Sequence, residues 1–275
     1  MVGKRGLGQL GLLVAALPWA ALLAGAITVS GCATPQAEPT KDSVVTEFDE
    51  PEARKRARIR MELAVGYFEQ GKTSIALDEL KQVIAIDPSY PEAYNLRGLV
   101  YMQLNDPSRA EDNFRRAVVL NPRDANTLHN LGWLQCQQRR FDEADRTFEQ
   151  ALATPLYGER AKTLMAQGLC QARAGKPDLA ERTLAKAYEL DAGNPIVGYN
   201  LANLLFTRGD TSRAQFYIRR LNNSELANAG SLWLGIKVER KLGDRLAMAQ
   251  LADQLKKRFP GSRELASLEK GSFDE

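Results

Sequence analysis

This 275-residue chain has 37 Lys and Arg against 34 Asp and Glu, and removing Lys4 and Arg5 with an expected export segment leaves 35 basic residues. That near balance, with 44% hydrophobic and 26% charged residues, fits an ordinary water-soluble helical protein and not a nucleic-acid binder, which needs a concentrated basic face. The one basic cluster, Arg54-Lys55-Arg56-Ala57-Arg58, follows acidic Glu47, Asp49, Glu50 and Glu52, the pattern of a solvated helix start rather than a phosphate site.

In chain order, residues 1–31 read as a signal peptide. Lys4 and Arg5 form its charged start, and the 24 residues from Gly6 to Val29 carry no charge. The exit Val29-Ser30-Gly31-Cys32 resembles a bacterial lipobox, in which the cysteine is lipidated and becomes the new N-terminus. An uncleaved membrane anchor is the competing reading, because such a stretch is long enough to span a bilayer. Gly6, Gly8, Gly11, Pro18 and Gly25 weigh against a membrane helix, and the small residues before Cys32 suit cleavage. Ala33 follows Cys32, and by that resemblance an enteric-type bacterium would sort the lipoprotein to the outer membrane. Residues 32–51 are polar and proline-rich, too poor in apolar side chains to offset the entropy of ordering, and are expected to act as a tether.

Residues 52–262 repeat with a 34-residue step. In Pro91–Asp124, counted from Pro91, Tyr94, Tyr101 and Phe114 stand at positions 4, 11 and 24, and Gly98, Ala110 and Ala117 at 8, 20 and 27. Large residues facing small ones let two antiparallel helices approach closely. Pro122 at position 32 closes the second helix, because it lacks an N–H and clashes with the preceding turn. The same step recurs at 57–90 (Ala64, Leu80) and 125–158 (Gly132, Phe148). After a two-residue slip at Glu159-Arg160 it continues at 161–194 (Gly168, Leu184), 195–228 (Ala202, Ile218) and 229–262. The last is weaker, with Ala252 where a large residue is expected at position 24. The spacing resembles the tetratricopeptide repeat, which implies an all-α, right-handed superhelical solenoid of six helix–turn–helix units. Residues 263–275 are left as a C-terminal tail.

In tetratricopeptide proteins the first helix of each unit lines the concave side, at positions 2, 5, 9, 12 and 13. Positions 5, 9 and 12 here hold Met61, Val65 and Phe68, then Asn95, Leu99 and Met102, then His129, Trp133 and Cys136. Met165, Leu169 and Ala172 follow, then Tyr199, Asn203 and Phe206, and last Trp233, Lys237 and Arg240. The stripe is apolar and aromatic before it turns basic, which suits a partner-binding groove, although any one of these side chains could instead pack between helices. Tetratricopeptide domains that clamp acidic chaperone C-termini carry Lys and Asn where Met61 and Val65 stand, so that clamp is absent.

With Cys32 given to lipid, Cys136 and Cys170 remain on neighbouring first helices, close enough for a disulfide in an oxidising compartment or for two buried thiols. His129 is the single histidine, a poor basis for a metal site. The sequence has no H-E-x-x-H, no phosphate-cradling glycine loop and no Ser-His-Asp arrangement, so neither an enzyme nor a cofactor is expected.

Longer strings resemble one family, the type IV pilus biogenesis/stability lipoproteins of the PilW/PilF kind, pilotins of the pilus secretin. These are HNLGWLQCQQRRFDEADRTFEQALATPLY (129–157), AQGLCQARAGKPDLAERTLAKA (166–187), SLWLGIKVERKLGD (231–244) and RFPGSRE (258–264). Leu131 stands where the family usually has an aromatic residue. The resemblance implies a lipid-anchored protein on the periplasmic face of the outer membrane. It would bind secretin subunits, promote their localisation and assembly, and carry a disulfide linking the third and fourth repeats. The alternative is a tetratricopeptide lipoprotein that scaffolds peptidoglycan hydrolases or outer-membrane protein assembly; a hydrolase with an unrecognised site is more remote.

Overall fold

The computed structural model describes residues 51–273, so the expected signal peptide, Cys32 and nearly all of the tether lie outside the described residues. Thirteen α-helices and no strands occur among the described residues. They pair as α1 (Glu52–Glu69) with α2 (Thr73–Ile86), α3 (Pro91–Gln103) with α4 (Pro107–Leu120), and α5 (Ala125–Gln137) with α6 (Phe141–Ala153). Then come α7 (Arg160–Arg173) with α8 (Pro177–Leu190), α9 (Pro195–Thr207) with α10 (Thr211–Asn222), and α11 (Ala229–Leu242) with α12 (Arg245–Arg258). The residues assigned to a tail contain one more helix, α13 (Arg263–Lys270), which rests on α11 and α12.

A small residue receiving a large one draws each pair together. A Cβ on Gly98 would lie 2.6 Å from the Phe114 ring, one on Gly132 3.0 Å from Phe148, and one on Gly168 2.7 Å from Leu184. Phe114, Phe148 and Leu184 are in turn almost wholly buried. A Cβ at Gly98 or Gly168 would force Phe114 or Leu184 to shift, and one at Gly132 would press Phe148 by a few tenths of an ångström.

The turn inside each pair is a second invariant. Position 15 has positive φ in all six repeats: Gly71, Gly175, Gly209 and Gly243, but also Asn105 and Arg139. Its N–H bonds the carbonyl three residues back, and the next N–H reaches five back, as in Arg139 to Cys136 and Arg140 to Gln135. This is the Schellman ending, which needs one left-handed residue and favours glycine there. Aspartates then start three of the second helices: Asp106, Asp210 and Asp244 accept from the backbone N–H three residues on.

Successive odd-numbered helices touch one another from α1 to α11, whereas no two even-numbered helices do among the described residues. The odd-numbered helices therefore occupy the inner, tighter side of the stack. Each repeat buries its apolar face against its neighbours, so the core runs as successive clusters along a solenoid.

Candidate functional site

The inner face is built from one row of side chains per odd-numbered helix. Met61, Val65 and Phe68 on α1, Leu99 and Met102 on α3, Trp133 on α5 and Leu169 on α7 are all half-buried. Their inward edges complete the inter-helix core: Met61, Val65, Phe68 and Leu99 lean on the first cluster, Met102 on the second, and Trp133 on the cluster around the cysteines. Asn95, also half-buried, accepts a 3.0 Å hydrogen bond from Asn130 and so joins α3 to α5. The row presents a mainly apolar surface with both cores and edges, enough to give a peptide or helix something to bury.

His129 does not belong to this surface. It is 9% exposed, with Nδ1 2.9 Å from the Thr163 hydroxyl on α7 and its ring 6.0 Å from that of Phe148. Tyr157, in the connection just before the slip, places its hydroxyl 2.8 Å from the same Thr163 oxygen. His129, Thr163 and Tyr157 thus make a buried polar contact at the joint between the third and fourth repeats, and position 5 there is core. Burial, helped by the charge of Lys162, lowers the His129 pKa to about 4, so the ring is neutral at pH 7.

The same joint holds the cysteines. Cys136 and Cys170 form a disulfide with their Cα atoms 5.8 Å apart, both almost fully buried. Closing a loop of 34 residues is worth about 4 kcal/mol in the chain-entropy treatment. Trp133 lies against this bridge, and the Arg173 guanidinium stands 5.3 Å from its ring centroid. The third and fourth repeats are therefore the most firmly tied part of the inner face, and they hold its largest exposed-edge aromatic. Among the described residues no group of three or more His, Cys, Asp or Glu side chains is placed to hold a metal.

Comparison with known proteins agrees with this geometry. A TPR repeat family matches residues 66–105, and tetratricopeptide repeat families match 91–124, 129–195 and 171–229. The type IV pilus assembly protein PilF of Pseudomonas aeruginosa is 29% identical over 239 residues, covering 87% of this chain and 92% of PilF. The chain is a tetratricopeptide repeat protein homologous to PilF. A solved structure of P. aeruginosa PilF matches with a TM-score of 0.70 at 29% identity, over 80% of this chain and 100% of that one. A crystal structure of PilW, described as a widely conserved type IV pilus biogenesis factor, matches with a TM-score of 0.72 at 27% identity, over 78% and 98%.

Within this tetratricopeptide frame, two contributors to the inner face were not singled out from the sequence. Arg173 stands at position 13 of the fourth repeat, a position the repeat rule includes but the reading of positions 5, 9 and 12 passed over. Phe273 lies beyond the sixth repeat, where no register assigns it a place. Its ring stacks on Trp233 with centroids 5.2 Å apart.

Proposed function

We propose that this chain is an outer-membrane lipoprotein pilotin, which binds type IV pilus secretin subunits through its inner face and promotes their outer-membrane localisation and multimerisation. The observation that carries the reading is homology to a type IV pilus assembly protein across nearly the whole of both chains. The half-buried apolar row from Met61 to Leu169 supplies a surface suited to a protein segment. Lipidation at Cys32 would supply the anchor, since several acyl chains hold a protein at a membrane effectively permanently whereas one alone does so only marginally.

The test uses cells that make a type IV pilus secretin. Removing this chain is expected to leave the secretin largely monomeric or in the wrong membrane, and restoring it should recover outer-membrane multimers. Cys32→Ser is expected to lose acyl labelling and lower the multimer yield. Normal multimers in cells lacking the chain would overturn the reading.

A further inference from the structure

At the sixth repeat the inner face changes character. Trp233, Lys237 and Arg240 occupy the row on α11, and Phe206 the neighbouring place on α9. Phe273, carried back by the segment that follows α13, is held between groups of two kinds. One is the Trp233 ring, nearly parallel to it at an interplanar angle of 25°. The other is the Arg240 guanidinium, 3.9 Å from the Phe273 ring centroid. The Lys237 ammonium stands 5.7 Å from the Trp233 ring centroid. Beside Phe273 lies a recess of about 340 Å³ lined by Phe206, Lys237, Arg240, Lys241 and Phe273.

Lys237, Arg240 and Lys241 make no ion pair among the described residues, unlike Arg60, Arg140, Arg208 and Arg219 elsewhere on the solenoid. Three uncompensated cations around an aromatic slot favour a ligand that brings both a ring and negative charge. The residue already seated there has that chemistry in its sequence context, because Phe273 is followed by Asp274 and Glu275, which lie outside the described residues. Phe273 is half-buried and sits at the end of a short connection after Gly271, held by the Trp233 and Arg240 contacts and by packing on the sixth-repeat core, so a partner ring must compete with those contacts alone.

We propose that this end of the inner face docks a partner peptide in which an aromatic residue is followed by acidic side chains, and that Phe273 fills the aromatic slot until such a partner displaces it. The proposal does not depend on the partner being a secretin. It gives the solenoid a second recognition element, separate from the apolar row of the first four repeats and self-covered in the free chain.

The experiment measures fluorescence anisotropy of a labelled Gly-Ser-Phe-Asp-Glu-Gly peptide with the full chain and with Phe273→Ala. The open slot of Phe273→Ala is expected to bind the peptide at least tenfold more tightly than the unsubstituted chain. Adding Lys237→Glu and Arg240→Glu should abolish that binding, as should replacing the peptide's phenylalanine by alanine. Circular dichroism and melting check that each variant is folded. Equal affinity for the full chain and a folded Phe273→Ala would overturn the proposal, as would binding that survives the two charge reversals. A Phe273→Ala chain whose sixth repeat melts would make the residue a structural cap, and would overturn it too. The assay contains no secretin, so failure here leaves the proposed pilotin role standing.

Discussion

In the second, third and fourth repeats the second helix supplies the knob and the first helix the hole: Phe114 on Gly98, Phe148 on Gly132, Leu184 on Gly168. In the sixth repeat the same pairing shifts by one place: Gly235 at position 7 of α11 faces Leu251 at position 23 of α12, an added Cβ lying 3.0 Å from the leucine, while Ile236 at position 8 is fully buried and Ala252 stands at position 24. The same Gly235 also admits α10, since an added Cβ would lie 2.5 Å from Asn222 Nδ2. The sixth repeat also buries a charge. Glu239 is completely inaccessible and is held by Arg219, with Nε–Oε1 at 2.6 Å and a second N–O contact at 2.9 Å, and by Gln215 Nε2 at 2.8 Å. The middle repeats thus close on apolar volume at position 8, whereas the last shifts its small residue to position 7 and is tied to the fifth repeat by a salt bridge to a buried carboxylate.

The largest expected effect falls on the apolar design. Phe148→Ala should destabilise the solenoid by about 3–5 kcal/mol, the usual cost of emptying a fully packed ring site. Ala252→Gly at the equivalent place of the sixth repeat should cost about 1 kcal/mol, a helix-propensity effect alone. Equal losses in thermal melting would remove the contrast between the two packings.

The bridge from half-exposed Arg219 to buried Glu239 gives the next effect. Arg219→Ala leaves the buried Glu239 carboxylate to Gln215 without a charged partner and should cost up to about 3 kcal/mol, whereas replacing Arg219 and Glu239 together by leucine should recover much of that loss. A double variant no more stable than Arg219→Ala would mean that volume, not charge, governs this site.

At the joint of the third and fourth repeats, His129 ties stability to pH. The folded chain protonates the ring only near pH 4, while the unfolded chain does so near 6.5. Between those values the unfolded state binds more protons, so this contribution is intact above pH 6.5 and is lost as pH falls toward 4, by about 3 kcal/mol in all. Melting temperatures of the unsubstituted chain and His129→Gln, compared across that range, should diverge by this slope. Parallel profiles would show that His129 does not titrate differently on folding.

The smallest effect is a gain. Arg139 adopts φ 63° at a turn position where four other repeats have glycine. Arg139→Gly should therefore stabilise by about 1 kcal/mol by relieving a left-handed arginine. Loss of stability on denaturant unfolding would show that the arginine's other contacts outweigh that strain.

The repeat step, the helix pairs and the knob-and-hole residues of the middle repeats were legible in the sequence because each depends on residue size at a fixed spacing. Less legible was anything that broke the step. At position 15 four repeats carry glycine, but Asn105 and Arg139 adopt the same backbone without the residue that advertises it. Ala252 reads as a missing knob because the shift to Leu251 on Gly235 shows only when both helices are seen together. His129 was placed on the inner face by its register. Its contacts with Thr163 across the joint and with Phe148 make it core. Phe273 belongs to no repeat, and only the fold brings it back onto Trp233.

The central claim is that the apolar row of the inner face engages a secretin segment, and Trp133 is its most telling member. It is half-buried, backed by the disulfide cluster and flanked by Arg173, the profile of a binding hot spot. The most direct measurement is the Kd of purified secretin periplasmic domain for the unsubstituted chain and for Trp133→Ala, with circular dichroism confirming that both are folded. A loss of about 2 kcal/mol, or about 30-fold in Kd, is predicted. A folded Trp133→Ala chain that binds the secretin with unchanged Kd would contradict the account.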